Sequence, residues 1–337
     1  TIAAGNGGSL ILDNGPNPAT ITDAGGTHFI TAPVTLNTSV TLDVQNVGNS
    51  LTLSGPISGA GGVTSTGNGT VVLSGNNSYA GSTSVTGGTL IVASAAALPS
   101  ATALTVGNGS SRATMQLANG IGQASVSSLT INSGATLDIT NNALAINYVA
   151  GSSPAATIRQ YLAEGYDGDT WLGFGITSST AAGNPGLYSV GYADGNADAG
   201  TAAGPNQVLV KFTLAGDANL DGTVNFADLL VVAQNFNHAL DTHGNPIDWA
   251  DGDFNYDGVV NFADLLLVAQ NFNQTLGAGQ LEQLPGSFSA AWNLALADIR
   301  QTQSDNVPEP AMGAVLGVGA AGLLTYRRRR AEQRGHL

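Results

Sequence analysis

The chain of 337 residues is long enough for two or three domains, yet only 9% of its residues are charged and 46 are glycine, against averages of about 25% charged residues and about 7% glycine. It has no cysteine, which removes disulfides, thiolate metal sites and thiol nucleophiles together. The net charge is −14, and before Pro308 21 acids face four bases, so phosphate-backbone binding has no electrostatic footprint and nucleic acid is excluded as a partner, whereas a divalent cation fits.

No methionine and no basic-then-apolar leader stands at Thr1, so the expectation is a trimmed or incomplete chain. From residue 1 to about 148, short apolar runs alternate with Gly/Asn/Ser/Thr turns. They include "SLILD" from Ser9, "VTLNTSVTLDV" from Val34, "GTVVLSG" from Gly69, "GGTLIVAS" from Gly87 and "SLTINSGATLDIT" from Ser128. Each run alternates Val, Leu or Ile with Thr or Ser, the period of a strand with one buried face. No helical pattern separates them. Many short strands without crossover helices predict a β-solenoid of the parallel β-helix kind, in which each turn buries its apolar face on the next; a β-sandwich is the competing architecture.

Within this region, Gly69, Thr70, Leu73, Ser74, Gly75, Asn77, Tyr79, Gly81, Gly88, Thr89 and Leu90 resemble the autotransporter-associated β-strand repeat. That resemblance implies a right-handed β-helix in a surface-exposed or secreted bacterial protein, without catalytic activity.

Residues 149–213 read differently. Tyr161, Tyr166, Trp171, Phe174, Tyr188 and Tyr192 gather there, "IRQYLAEG" reads as a short helix, and "QVLVKFTLAG" from Gln207 reads as a strand. A small β-rich cap or linker module is expected, of the kind a solenoid needs over its last turn.

The chain then repeats itself. "GDANLDGTVNFADLLVVAQNFN" starts at Gly216 and "GDFNYDGVVNFADLLLVAQNFN" at Gly252. Numbered from Asp217, side-chain oxygens fall at places one, three, five, nine and twelve: Asp217, Asn219, Asp221, Asn225 and Asp228. The second copy gives Asp253, Asn255, Asp257, Asn261 and Asp264. Place six is glycine in both, as a sharp turn requires. Place seven, Thr223 and Val259, offers its backbone carbonyl, so its side chain is free to vary. Calcium takes six to eight oxygens from such a loop, and the place-twelve acid opens a helix whose N-terminus favours it. An Asx-rich turn is the plain alternative, but two full loops at a fixed spacing speak for two Ca2+ ions; magnesium suits these flexible loops less well. After each loop an apolar helix would bury Leu229, Val232 and Phe236 against Leu265, Val268 and Phe272.

This pair resembles a dockerin type I module over residues 214–276, which implies two calcium ions and a cohesin-like partner. Where that family often carries Ser-Thr and a Lys-Arg pair for recognition, this chain has Phe226, Ala227, Ala233 and Gln234, and Phe262, Ala263, Ala269 and Gln270. A cohesin-like partner, another surface protein and a purely structural calcium clip therefore stay open.

After a helical linker over residues 277–306, "VPEPAMGAVLGVGAAGLLTYRRRR" starts at Val307. Its apolar stretch of about 16 residues is slightly short of the ~20 that span a bilayer, and its arginines would stay cytoplasmic. Pro308, Glu309 and Pro310, the apolar stretch, and Arg327, Arg328, Arg329 and Arg330 together resemble the PEP-CTERM sorting signal (residues 307–337). That resemblance implies export, transient inner-membrane insertion through an apolar sorting helix, and cleavage near the Pro-Glu-Pro by an exosortase-type enzyme, leaving the protein at the cell surface or outside it.

No catalytic constellation stands out. His28, His238, His243 and His336 are scattered, and no Gly-x-Ser-x-Gly elbow or phosphate loop is present. A carboxylate pair on a β-helix would suit a polysaccharide hydrolase, but Asp13, Asp23, Asp43 and Asp138 are the only acids before Glu164. The expectation is a mainly β structural or adhesion protein that is not an enzyme, in contact with surface protein or extracellular polysaccharide. The competing reading is a non-catalytic fragment of a carbohydrate-active enzyme attached through its dockerin.

Overall fold

Short strands with one apolar face can bury it by stacking on the next turn of chain, and here they stack in parallel. The computed structural model describes residues 1–241, 244–277, 282–283, 288 and 290–295. The chain divides into two compact units, Thr1–Leu284 and Pro285–Leu337. The first is built on three parallel sheets: three strands beginning with Leu10–Leu12, six beginning with Ala19–Asp23, and seven beginning with Thr27–Ile30. Successive partners lie one turn apart: Val40 pairs with Val63, Val63 with Thr83, Thr83 with Leu104 and Leu104 with Leu129. The fold is therefore mainly β, a β-solenoid with few helices.

Alternation in the sequence becomes ladders in the core. Leu51, Val71, Leu90, Met115, Leu137 and Ile176 are successive partners, and all six are buried. Each such side chain contributes roughly 1.5–3 kcal/mol by leaving water.

The repeat residues have distinct physical tasks. Buried Asn77 accepts from the Ile57 N–H at 2.8 Å and donates to the Ala97 carbonyl at 2.7 Å, joining turns on either side. The Tyr79 hydroxyl meets Thr83 at 2.6 Å, Thr83 meets Thr102 at 3.0 Å, and Thr102 donates to the Gly81 carbonyl. That chain of partners makes burial of the ring tolerable, and burial pushes the Tyr79 phenol up to about 12. Gly81 is glycine because a Cβ there would collide with the Gly62 backbone on the preceding turn.

The repeat ends in a change of strand direction. Helix α1 (Ala155–Tyr166) packs on the strand Gly175–Thr177, the last member of the seven-stranded sheet, closely enough that no Cβ fits at Gly165. Helix α2 (Ser179–Ala182) follows, capped by Ser178, whose hydroxyl accepts from the Ala181 N–H at 3.0 Å. A fourth sheet begins with two parallel strands, Gln123–Val126 and Ala143–Asn147, and continues antiparallel with Gln207–Leu214 and Tyr188–Asp194. Helices α3 (Phe226–Asn235) and α4 (Phe262–Asn271) follow, and the loops that precede them meet this sheet, where Lys211 donates to the Leu220 carbonyl and the Tyr256 hydroxyl to the Val190 carbonyl.

In the second unit the described residues 288 and 290–295 are helical, with the Phe288 and Trp292 rings stacked. Pro308, Glu309, Pro310 and Arg327 to Arg330 lie outside the described residues. Among the described residues no helix is long and apolar enough to cross a membrane.

Candidate metal centre

Two copies of one sequence fold into two copies of one loop, and each copy completes the other. Gly216 and Gly252 open the loops with φ of 100° and 106°. A Cβ on Gly216 would meet the Val268 Cα at 3.0 Å, and one on Gly252 the Val232 side chain at 3.1 Å. Each loop thus begins against the middle of the other copy's helix. Asn235 at the end of α3 donates to the Asp251 carbonyl at 2.9 Å, and its counterpart Asn271 donates to Ala215 at 2.8 Å. The Asn237 and Asn273 N–H groups donate to Val260 and Val224, each at 2.7 Å. Leu229, Val232, Leu265 and Val268 are buried between the copies, while Phe236 and Phe272 are only half-buried.

The place-one and place-twelve acids are brought inside. Asp217, Asp228, Asp253 and Asp264 have no exposed surface. Asp228 accepts from the Ala218 and Asn225 N–H groups at 2.9 and 2.8 Å, and Asp264 from Phe254 and Asn261 at 2.8 and 2.9 Å. These bonds also cap the helices, with Asn225 and Asn261 accepting in return. Places three and five form the same turn twice: the Asn219 and Asn255 amides each donate to the carboxylate two residues on, at 3.0 Å. Place four is left-handed in both copies, with φ of 61° at Leu220 and at Tyr256.

Four buried carboxylates in one small unit are costly to ionise. Burial pushes Asp217 up to about 6, and Asp228 and Asp264 up to about 7, each further raised by the other acids of its own loop. Burial also raises Asp253, against the opposing effect of Arg159. One oxygen stands out: Asp253 Oδ1 is buried with no hydrogen-bond partner, while Oδ2 accepts from Arg159 at 2.6 Å and from the Gly258 N–H at 3.0 Å. A buried orphan oxygen among raised carboxylates, with amide and carbonyl oxygens at alternate places, is the donor set of a hard cation. Among the described residues no three His, Asp or Glu side chains form a metal-binding group by themselves. Each loop would need its Asn oxygens and the Thr223 or Val259 carbonyl to complete a set. His238 is exposed on the connector, and His243 lies outside the described residues.

Sequence reasoning missed what surrounds the loops. The Trp249 indole donates to the Asp217 carbonyl at 2.8 Å, the Tyr256 hydroxyl donates to the Val190 carbonyl, and the Thr213 hydroxyl donates to Asp217 Oδ2. Arg159 and Lys211 approach from the preceding module. The one available signal was scarcity: these are two of only four bases before the tail.

Three family models match parts of the chain. Residues 63–92 match the passenger-associated-transport-repeat, residues 215–273 the dockerin type I domain, and residues 306–330 the PEP-CTERM protein-sorting motif. No curated protein and no solved structure matches the chain significantly. Dockerin type I domains bind calcium and imply a cohesin partner. A PEP-CTERM motif implies processing by an exosortase and export to the cell surface or extracellular space. The three matches are the combination expected from the motifs, and together they point to an exported, calcium-binding, sorted surface protein.

Proposed function

We propose that the protein is a structural or adhesive component of the cell surface or extracellular matrix, held at the end of its solenoid by two calcium ions. The ligands of one ion are Asp217, Asn219, Asp221, Asn225, Asp228 and the Thr223 carbonyl. Those of the other are Asp253, Asn255, Asp257, Asn261, Asp264 and the Val259 carbonyl. The observation that carries this reading is the orphan Oδ1 of Asp253 inside a loop whose other buried acid, Asp264, is raised to about 7. Calcium supplies the positive charge that lets these carboxylates ionise without water. The chain's own contribution is the frame: helix-capping bonds orient the place-twelve acids, and the left-handed fourth residues set the turn between places three and five.

In this reading the protein is not an enzyme, and the solenoid presents a neutral, Thr- and Ser-rich face to surface protein or polysaccharide. A sorting helix inserts transiently in the inner membrane, and a cut near Pro310 removes the arginines. Titration calorimetry of the full chain tests the metal assignment: two equivalents of calcium are expected, and no heat at millimolar calcium would end it. Intact-mass measurement of the cell-surface form tests the tail, since retention of Arg327 to Arg330 would refute the cut.

A further inference from the structure

Both loops have a cation behind them, at the same place. Lys211 Nζ donates to the Leu220 carbonyl at 2.6 Å. Arg159 donates to the Tyr256 carbonyl at 3.2 Å and to Asp253 Oδ2 at 2.6 Å. Leu220 and Tyr256 are the fourth residues of the two loops, the left-handed ones. Their cations come from unrelated elements: Lys211 from the strand Gln207–Leu214 and Arg159 from α1. The repeat cannot explain the coincidence, because neither residue belongs to it. General charge balance does not explain it either, since it would not select one particular backbone carbonyl in each copy.

The geometry points to Arg159 and Lys211 as positioning residues for the two calcium loops, each fixing the fourth-place carbonyl of one loop from the module before the repeat, so that the calcium pair is a clamp built into the solenoid's end and not a separately tethered domain. The inference rests on the calcium reading above. A left-handed residue with its carbonyl held cannot swing, so the residues at places three and five keep their register on either side of it. In the second loop Arg159 also holds Asp253 Oδ2, leaving Oδ1 as the free oxygen. In the first loop the Thr213 hydroxyl holds Asp217 Oδ2. The module is fastened further by Trp249 to Asp217, Tyr256 to Val190, and Asn271 to the Gly186 carbonyl at 2.9 Å. By charge alone, a cation near a site repels calcium; by orientation, an outer partner of a ligand is worth about 10–100-fold in metal affinity. Lys211 bonds a backbone carbonyl, and Arg159 bonds both a carbonyl and the Asp253 carboxylate whose other oxygen it leaves free; orientation is expected to outweigh repulsion.

Calcium calorimetry on the full chain separates these outcomes. Asp221→Ala and Asp257→Ala each delete one binding step and so assign the steps to loops. Arg159→Ala is then expected to weaken the second-loop step by about 10-fold and leave the first, with Lys211→Ala doing the reverse. Arg159→Lys can reach one of the two partners and should fall between Arg159→Ala and wild type. Two wild-type steps that both variants leave unchanged, tighten, or weaken equally would overturn the positioning role while keeping the calcium reading. A wild-type chain that binds no calcium overturns that reading itself. If Arg159→Ala does not fold, Arg159→Lys decides alone: second-loop affinity equal to wild type defeats the inference.

Discussion

The solenoid and the paired loops solve burial in opposite ways. In the solenoid, neutral groups are stacked from turn to turn: Leu90 sits between Val71 and Met115, and Asn77 bridges neighbouring turns. One of its two buried acids, Asp138, accepts from Gln116 at 2.8 Å and from the Thr140 and Ser179 N–H groups. In the loop pair, four carboxylates are buried close together, and one of their oxygens, Asp253 Oδ1, has no donor. In the calcium reading proposed above, the acidic loops are complete only with a cation, whereas the apolar ladders need none. The two regions should therefore respond differently to the same perturbation.

The largest difference is expected on removing calcium. A ligand at 1,000 times its Kd stabilises the folded state by about 4 kcal/mol per site. Chelation should accordingly speed hydrogen exchange throughout α3 and α4 while the solenoid strands keep their protection. Equal loss in both regions would break the distinction.

Next is pH. Asp217, Asp228 and Asp264 start near 3.8 and are raised by burial to about 6, 7 and 7. A raised carboxylate contributes stability that is full below its unfolded value and is lost as pH climbs through the folded one. The calcium-free loop pair should thus lose stability between about pH 4 and 7, on the order of a few kcal/mol for each of the three groups. Calcium favours the ionised forms, so its binding should release protons below pH 7 and weaken as pH falls. Thermal melts of the chelated chain, and binding enthalpies compared between buffers, read both effects. Melts that rise from pH 4 to 7 without calcium would contradict the burial argument.

Much of this contrast is legible in the sequence. Period-two runs divided by glycine turns already imply stacked strands, and the 36-residue offset between Gly216 and Gly252 implies two equivalent loops. What surrounds them is not legible. The chain meets itself at Arg159 and Tyr256, 97 residues apart, and at Tyr256 and Val190, 66 apart; no periodicity connects such positions. Nor does the sequence announce that Gly175–Thr177, beyond a helix, returns to the solenoid's longest sheet. Three residues carry too little pattern to be read as a strand, and the pairing is set by the sheet they join.

Within the solenoid, Leu90→Ala should cost about 3 kcal/mol, because stacked turns cannot collapse into the space left between Val71 and Met115. Calcium binding should be unchanged, since Leu90 touches neither loop. A calorimetric melt together with a calcium titration of the same variant checks both halves.

The smallest single loss, that of one hydroxyl, falls at the seam between the regions. Tyr256 occupies place four of the second loop, where the first has Leu220, and only Tyr256 carries a hydroxyl, which donates to the Val190 carbonyl of the strand Tyr188–Asp194. Its ring packs edge-on against Tyr166 and Trp171 and stacks with Tyr192. Tyr256→Phe keeps the ring and removes one bond, an expected loss of about 1 kcal/mol. Tyr256→Leu copies the first loop and removes the aromatic contacts as well, so it should cost more than Tyr256→Phe by about 1 kcal/mol for each ring pair lost. If the two variants melt together, the aromatic contacts contribute nothing and the seam is held by polar bonds alone. If Tyr256→Phe is neutral and Tyr256→Leu is not, the second loop is joined to the solenoid's last sheet by packing, and the hydroxyl only satisfies a carbonyl that burial would otherwise leave unpaired.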